Sequence, residues 1–272
     1  MLCSTYLPLL TLCTISTLKT CTSLNLSIVP FNEAFSPLFS NQNVTPSYDG
    51  KYVQIAMNQW STSGSGFVSR YTYNHGLFTA SIKLPNSYSA GVVATFYLQN
   101  NELMRDEIDF EFLGHIEGEK WYSLEYGPDH FFLDQLPIRE LNNVEGMGGD
   151  FPSNPMYVYG TIWDGSNWAT HNGQYRVDIQ RGPFVTGYSF VINGCRVVQF
   201  GSMPSECNVT IPSGILSSAE RQQMNWYRFW CMTYSCCNDV DRYPNSLPEC
   251  GVEGPGMQLV ERPTFGASRR FV

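Results

Sequence analysis

Asp106-Glu107-Ile108-Asp109-Phe110-Glu111-Phe112-Leu113-Gly114 alternates carboxylates with apolar residues. A strand has a side-chain period of two, so Glu107, Asp109 and Glu111 share one face while Ile108, Phe110 and Phe112 take the other. Same-face neighbours sit about 7 Å apart, and three like charges in such a row repel. A strand that needs only its apolar back has no use for them. Two chemistries use such a row: an oxygen-rich metal site, or paired carboxyls acting on a glycosidic bond. A solvated acidic face is the plain alternative. Calcium sites gather their oxygens from bent loops rather than stiff strands, so the spacing favours the glycosidic reading over a metal. Retaining hydrolysis places nucleophile and acid/base about 5–5.5 Å apart, whereas Glu107 and Glu111 have Cα atoms roughly 13 Å apart on an ideal strand. The catalytic reading therefore requires a curved strand and two glutamates leaning together over Asp109. Asp109 then hydrogen-bonds the nucleophile and helps to separate the carboxyl pKa values.

The elements that must position this row read as strands. Tyr52–Met57, Gly66–Tyr71, Gly76–Leu84, Val92–Leu98 and Pro155–Ile162 are short β-rich runs bounded by Gly, Pro, Asn or Ser. No amphipathic helix interrupts them, which argues against βαβ units and for a two-sheet sandwich. One helix is expected near 218–230, with Ser217 and Glu220 as a capping box and Trp226, Phe229 and Trp230 as its packing side.

The chain has 272 residues, a formal net charge of −8, 14% aromatic and 15% charged residues. An acidic chain without a basic patch argues against nucleic acid and anionic membrane partners; many aromatics and few charges suit stacking on neutral sugar rings. Tyr6–Ile15 is a short apolar run, too short to span a bilayer, and residues 1–23 read as a signal peptide, which predicts secretion. Cys195, Cys207, Cys231, Cys236, Cys237 and Cys250 cluster among Pro, Gly and Asn, as in a disulfide-stapled tail. Zinc is the competing reading, but no pair of Cys-x-x-Cys motifs is present and all four His precede this region. Asn25, Asn43 and Asn208 each open a glycosylation sequon.

With these residues in view, the chain resembles the plant xyloglucan endotransglucosylase/hydrolases of glycoside hydrolase family 16. Arg105–Gly114 is similar to the family's catalytic strand. Gly64-Ser65-Gly66-Phe67, Gly76-Leu77-Phe78, and Lys83-Leu84-Pro85 through Ala90-Gly91-Val92-Val93 resemble the strands that precede it. Leu136-Pro137-Ile138-Arg139, Met147 through Pro152 and Thr161 through Thr170 follow in family order. Met232 through Ser235, Arg242-Tyr243-Pro244 and Pro248-Glu249-Cys250 resemble the C-terminal extension. The resemblance implies an all-β, curved, concanavalin A-like jelly-roll sandwich with a short helix-containing, disulfide-stapled C-terminal extension. It divides the chain into a jelly-roll domain over 24–200 and the extension over 201–272. It implies Glu107 as nucleophile, Asp109 as its helper and Glu111 as general acid/base in a double displacement. Trp163, Asn167 and Trp168, with Asn172 and Arg242, would line the acceptor side; the rival reading of Trp163 is a core residue. Cys195 would pair with Cys207 and Cys237 with Cys250, and Asn208 would carry a glycan. The expected partners are xyloglucan and its oligosaccharides, acting on a monomer in the cell wall, with no cofactor and no metal.

The departures from the family are as informative. Arg105 stands where the family commonly has His, and Cys231 and Cys236 where it often has aromatics. Between Glu119-Lys120-Trp121 and Tyr122-Ser123-Leu124-Glu125-Tyr126, a block on the order of 30 residues is missing, enough for about three strands. Its loss should leave a sheet edge open beside Glu107–Glu111. Two alternatives therefore stand beside the transferase reading: a β-glucan hydrolase, and a non-catalytic glucan-binding relative that keeps the acids only by descent.

Overall fold

The computed structural model describes residues 27–86, 88–100, 106–115, 121–126, 130–140, 152–197, 216–232, 241 and 244, with only the backbone of 121–126, 230 and 231. Among these described residues twelve strands form two sheets. In chain order they are β1 Phe35–Phe39, β2 Val44–Pro46, β3 Val53–Met57, β4 Ser65–Ser69, β5 Thr72–Lys83, β6 Val92–Gln99, β7 Glu107–Leu113, β8 Trp121–Tyr126, β9 His130–Leu133, β10 Leu136–Glu140, β11 Tyr157–Asp164 and β12 Phe184–Val197. Every run expected from the sequence is present, with ends shifted by at most four residues, the normal uncertainty of a strand boundary. The front sheet has the order β1-β4-β11-β6-β7 and the back sheet β10-β9-β8-β5-β12-β3-β2, a jelly-roll sandwich.

The alternation along the front strands decides which side faces inwards. Phe67, Ala94, Phe96, Leu98, Phe112, Val158 and Ile162 are buried and meet Val53, Ile55, Ile82, Tyr188 and Phe190 of the back sheet. Phe67 packs edge-on to Phe35, Tyr188 and Phe190, each with ring centroids 5.2 Å apart, the arrangement that aromatic quadrupoles favour. Each large side chain buried this way contributes about 1.5–3 kcal/mol relative to exposure. The Tyr188 hydroxyl crosses the core and donates to the Thr95 main-chain oxygen at 3.0 Å, fixing β6 from beneath.

Two short helices precede the long one: α1 Phe31–Ala34 and α2 Ala169–Gly173. The long helix, α3 Ser218–Cys231, opens on the expected capping box of Ser217 and Glu220. It docks on β10, where Arg221 forms an ion pair with the buried Glu140, and Met224 is its buried apolar residue. Of the expected aromatic docking side, Trp226 is corrected: it is 61% exposed, and Phe229 is 39% exposed; the side chain of Trp230 lies outside the described residues. The described docking contact is instead the Arg221–Glu140 pair on β10.

Among the described residues β7 has a neighbour on one side only, β6. The next described strand, β8, belongs to the back sheet, so among the described residues no strand covers the outer edge of β7. Ile108 and Phe110 on its back are only half-buried, and Phe112 alone is buried. Three carboxylates on its outer face are also the kind of charge that keeps an open edge from pairing with another chain.

Candidate active site

β7 pairs with β6 in unbroken antiparallel register, with Glu107 opposite Gln99, Asp109 opposite Tyr97 and Glu111 opposite Thr95. β6 continues to β11 in the same way, so that Gln99 faces Tyr157, Tyr97 faces Tyr159, Thr95 faces Thr161 and Val93 faces Trp163. Parity then places all of these on the outer face of the front sheet, in rows perpendicular to the strands. In the row beside Asp109 the Tyr97 and Tyr159 rings stack at 4.8 Å and 10°. In the row beside Glu111 the Thr95 and Thr161 hydroxyls share a hydrogen bond of 2.7 Å. One row beyond Glu111, Trp163 is half-buried, which removes the core reading of that residue, and its ring lies 6.0 Å from that of Trp168.

The three acids are electrostatically one unit. Asp109 is pushed from its ordinary value near 3.8 up to about 7, first by desolvation, then by the charges of Glu107 and Glu111, and by a hydrogen bond with Glu107. The Glu111 carboxyl is also raised, by desolvation and then by the Glu107 charge. One side of Asp109 is open to solvent; its desolvation comes from the sheet and the flanking carboxyls on the other. Glu107 and Asp109 share a side-chain hydrogen bond on a strand that pairs with β6 without a bulge. Near neutral pH such a row holds an acid able to donate a proton beside a carboxylate able to attack.

Glu107, Asp109, Glu111, Trp163 and Trp168 lie on one surface. Asn167 is exposed, and its Oδ1 accepts from Arg176 Nη2 at 3.3 Å. Asn172 is exposed with φ 56°, in the left-handed region. Cys195 is a buried disulfide cysteine whose sulfur is 3.2 Å from His75 Nε2. Arg105, Arg242, Asn208, Cys207, Cys237, Cys250 and the 1–23 segment lie outside the described residues. At the Asn43 sequon the side-chain amide nitrogen is buried. Sequence reading missed Gln99, Tyr97, Tyr157 and Tyr159. The signal for Tyr97 and Gln99 was the alternation Ala94-Thr95-Phe96-Tyr97-Leu98-Gln99, in which every second residue is polar or amphipathic, and that for Tyr157 and Tyr159 the alternation Tyr157-Val158-Tyr159-Gly160-Thr161. No group of three or more His, Cys, Asp or Glu side chains among the described residues has metal-holding geometry.

Comparison with known proteins follows the same lines. Residues 31–128 and 121–181 match the glycosyl hydrolases of family 16, and residues 208–250 match the xyloglucan endo-transglycosylase (XET) C-terminus. The chain is 38% identical to the probable xyloglucan endotransglucosylase/hydrolase protein 28 of Arabidopsis thaliana, over 89% of this chain and 86% of that one. It is 36% identical to protein 27 of the same plant, over 90% and 87%. Among solved structures it is similar to a Bacillus licheniformis beta-glucanase, at 16% identity and TM-score 0.45 over 61% of this chain and 96% of that one. The first alignment runs over 287 positions; 89% of 272 residues is about 242, so some 45 positions face gaps in this chain. The two family-16 matches meet at 121–128, the place where the sequence lacks its block.

Proposed function

Because this chain belongs to the glycosyl hydrolases of family 16 and carries the XET C-terminal segment, we propose that it cleaves the β-1,4-glucan backbone of xyloglucan with retention and passes the new end to another xyloglucan chain or to water. Glu107 attacks the anomeric carbon while Glu111 gives its proton to the leaving glycosidic oxygen, leaving a glycosyl ester on Glu107. Glu111, now a carboxylate, takes a proton from the incoming hydroxyl, whose oxygen displaces the ester and restores Glu107. Below pH about 7 Asp109 keeps its proton and donates it in a hydrogen bond to Glu107, which limits the repulsion within the row.

Transfer competes with hydrolysis only where an acceptor is held in place, because fixing it beside the ester raises its effective concentration. Trp163 and Trp168 support that role: Trp163 lies one row beyond Glu111, and the Trp168 ring lies beside it. Asn167, Asn172 and Arg242 are assigned to the same acceptor side. The extension over 201–272, the Cys195–Cys207 and Cys237–Cys250 pairs, the Asn208 glycan and a leader over 1–23 that delivers a monomer to the cell wall complete the reading.

The observation that carries it is the three-acid row, with Asp109 and Glu111 both raised, over aromatic rows on one face. The open edge of β7 favours the rival reading of a glucan-binding protein without turnover. The separating experiment is a transfer assay with xyloglucan donor and fluorescent xyloglucan oligosaccharide acceptor, run with a Glu107→Gln control and with reducing-end release measured alongside. Labelled polymer from the parent alone supports the transferase; reducing ends without labelled polymer support a hydrolase. A folded chain that retains xyloglucan and makes neither product supports binding only.

A further inference from the structure

An edge strand that carries catalytic groups needs something other than a second neighbour to hold its position. Here both ends of β7 are tied to the segments that flank β11, although β6 lies between the two strands. At the N-terminal end, Asp106 Oδ2 accepts from Ser153 N at 2.9 Å, Asn154 N at 2.9 Å and Asn154 Nδ2 at 3.0 Å. Its main-chain oxygen accepts from Asn100 N at 3.2 Å. At the C-terminal end, the buried Thr170 hydroxyl donates to the Gly114 main-chain oxygen at 2.6 Å and accepts from Gly91 N at 2.9 Å. Gly114 N in turn donates to Val92 O at 2.7 Å, and a Cβ at Gly114 would stand 1.8 Å from Ser89 O, so the approach is close and fixed.

We infer that the Asp106 carboxylate and the Thr170 hydroxyl are positioning residues: a bracket that reaches from both ends of β11 across β6 and sets the catalytic row against the Trp163 platform. Asp106 has the opposite parity to the acids, so its charge is spent on three donors and not on the substrate face. Thr170 is held at φ 45° and ψ 94°, a costly conformation for a residue with a Cβ, which persists only when the surroundings over-determine it. The bonds to Gly91 and Gly114 are that determination. The same segment carries Trp168, so the acceptor platform and the end of β7 share one anchor. Neither residue touches substrate in this account. Their effect passes through the placement of Glu107 and Glu111, where a shift of about 1 Å costs on the order of a hundredfold in rate.

This inference rests on the function proposed above, and two readouts keep the two separable. Thr170→Val removes the hydroxyl at nearly constant shape, and Thr170→Ser restores it. Thr170→Val should lower kcat by about tenfold or more with KM for xyloglucan within about twofold, and Thr170→Ser should recover kcat to within about threefold. Amide hydrogen exchange without substrate should show faster exchange in Thr170→Val at Gly91, whose N–H loses its acceptor, and over 107–113, with β5 and β12 unchanged. If Thr170→Val does not fold, Asp106→Ala against Asp106→Asn, which keeps one acceptor oxygen, gives the same two readouts. The bracket is overturned if Val keeps the parent kcat and exchange, if Ser loses as much as Val, or if exchange rises uniformly over both sheets. A parent chain without turnover would defeat the proposed function, while the exchange pattern would still decide the bracket.

Discussion

Replacing Asp109 with Asn should stabilise the protein above neutral pH and leave it unchanged in acid. Asp109 titrates near 3.8 when unfolded and at about 7 in the folded chain. The folded state then binds more protons than the unfolded one between those values, and stability falls as pH rises through that window. Below about pH 4 both states carry the proton and no cost exists; above about 7 both have lost it and the cost is complete. A shift of some three units corresponds to about 4 kcal/mol, but Asp109 is open to solvent on one side, and screening reduces this to about 1–2 kcal/mol. Asn keeps the shape and an N–H for the Glu107 carboxylate while removing the third charge. Thermal unfolding of parent and Asp109→Asn at pH 4 and pH 8 is the assay, with an expected gain of about 3–6 °C at pH 8 and none at pH 4 for a chain of this size. Equal midpoints at both pH values, or a loss at pH 8, would refute a mutually repelling acidic row.

Glu111→Gln should reduce cleavage of xyloglucan by about 10²–10⁴-fold, and much less for an aryl glycoside whose leaving group needs no proton; steady-state kinetics on the two substrates test this. Trp168→Ala should raise KM for the oligosaccharide acceptor and shift the product ratio towards reducing ends, with donor cleavage little changed, because its ring lies beside Trp163, in the platform proposed above for the acceptor. Arg221→Ala should destabilise the fold by about 1–3 kcal/mol, read from denaturant unfolding, since it strands the buried Glu140 carboxylate against His130.

The strands and the acidic row were legible in the sequence because both obey a period of two, and a slip by one residue would have turned Glu107, Asp109 and Glu111 into the core. The capping box of α3 was legible because it is a local contact three residues apart. Cross-strand register was not, so the Tyr97–Tyr159 stack beside Asp109 and the Thr95–Thr161 bond beside Glu111 had no local signal. The docking contact of α3 was missed for a related reason: it is made with Glu140, 81 residues away from Arg221. The open edge of β7 was foreseen from the missing block alone, since removing strands must expose the one they covered. The bracket that compensates for it joins Asp106 to residues 47 and 48 positions away and Thr170 to one 56 positions away.

The most direct test of the double displacement is to trap the ester. A xyloglucan oligosaccharide donor carrying a fluorine at C2 and a good leaving group slows breakdown of the glycosyl-enzyme more than its formation. Intact-protein and peptide mass spectrometry of the inactivated chain should find one oligosaccharide per protein, attached to Glu107. Label on Glu111 instead, or full turnover of xyloglucan with no covalent species at any time, would contradict the assignment of nucleophile and acid along β7.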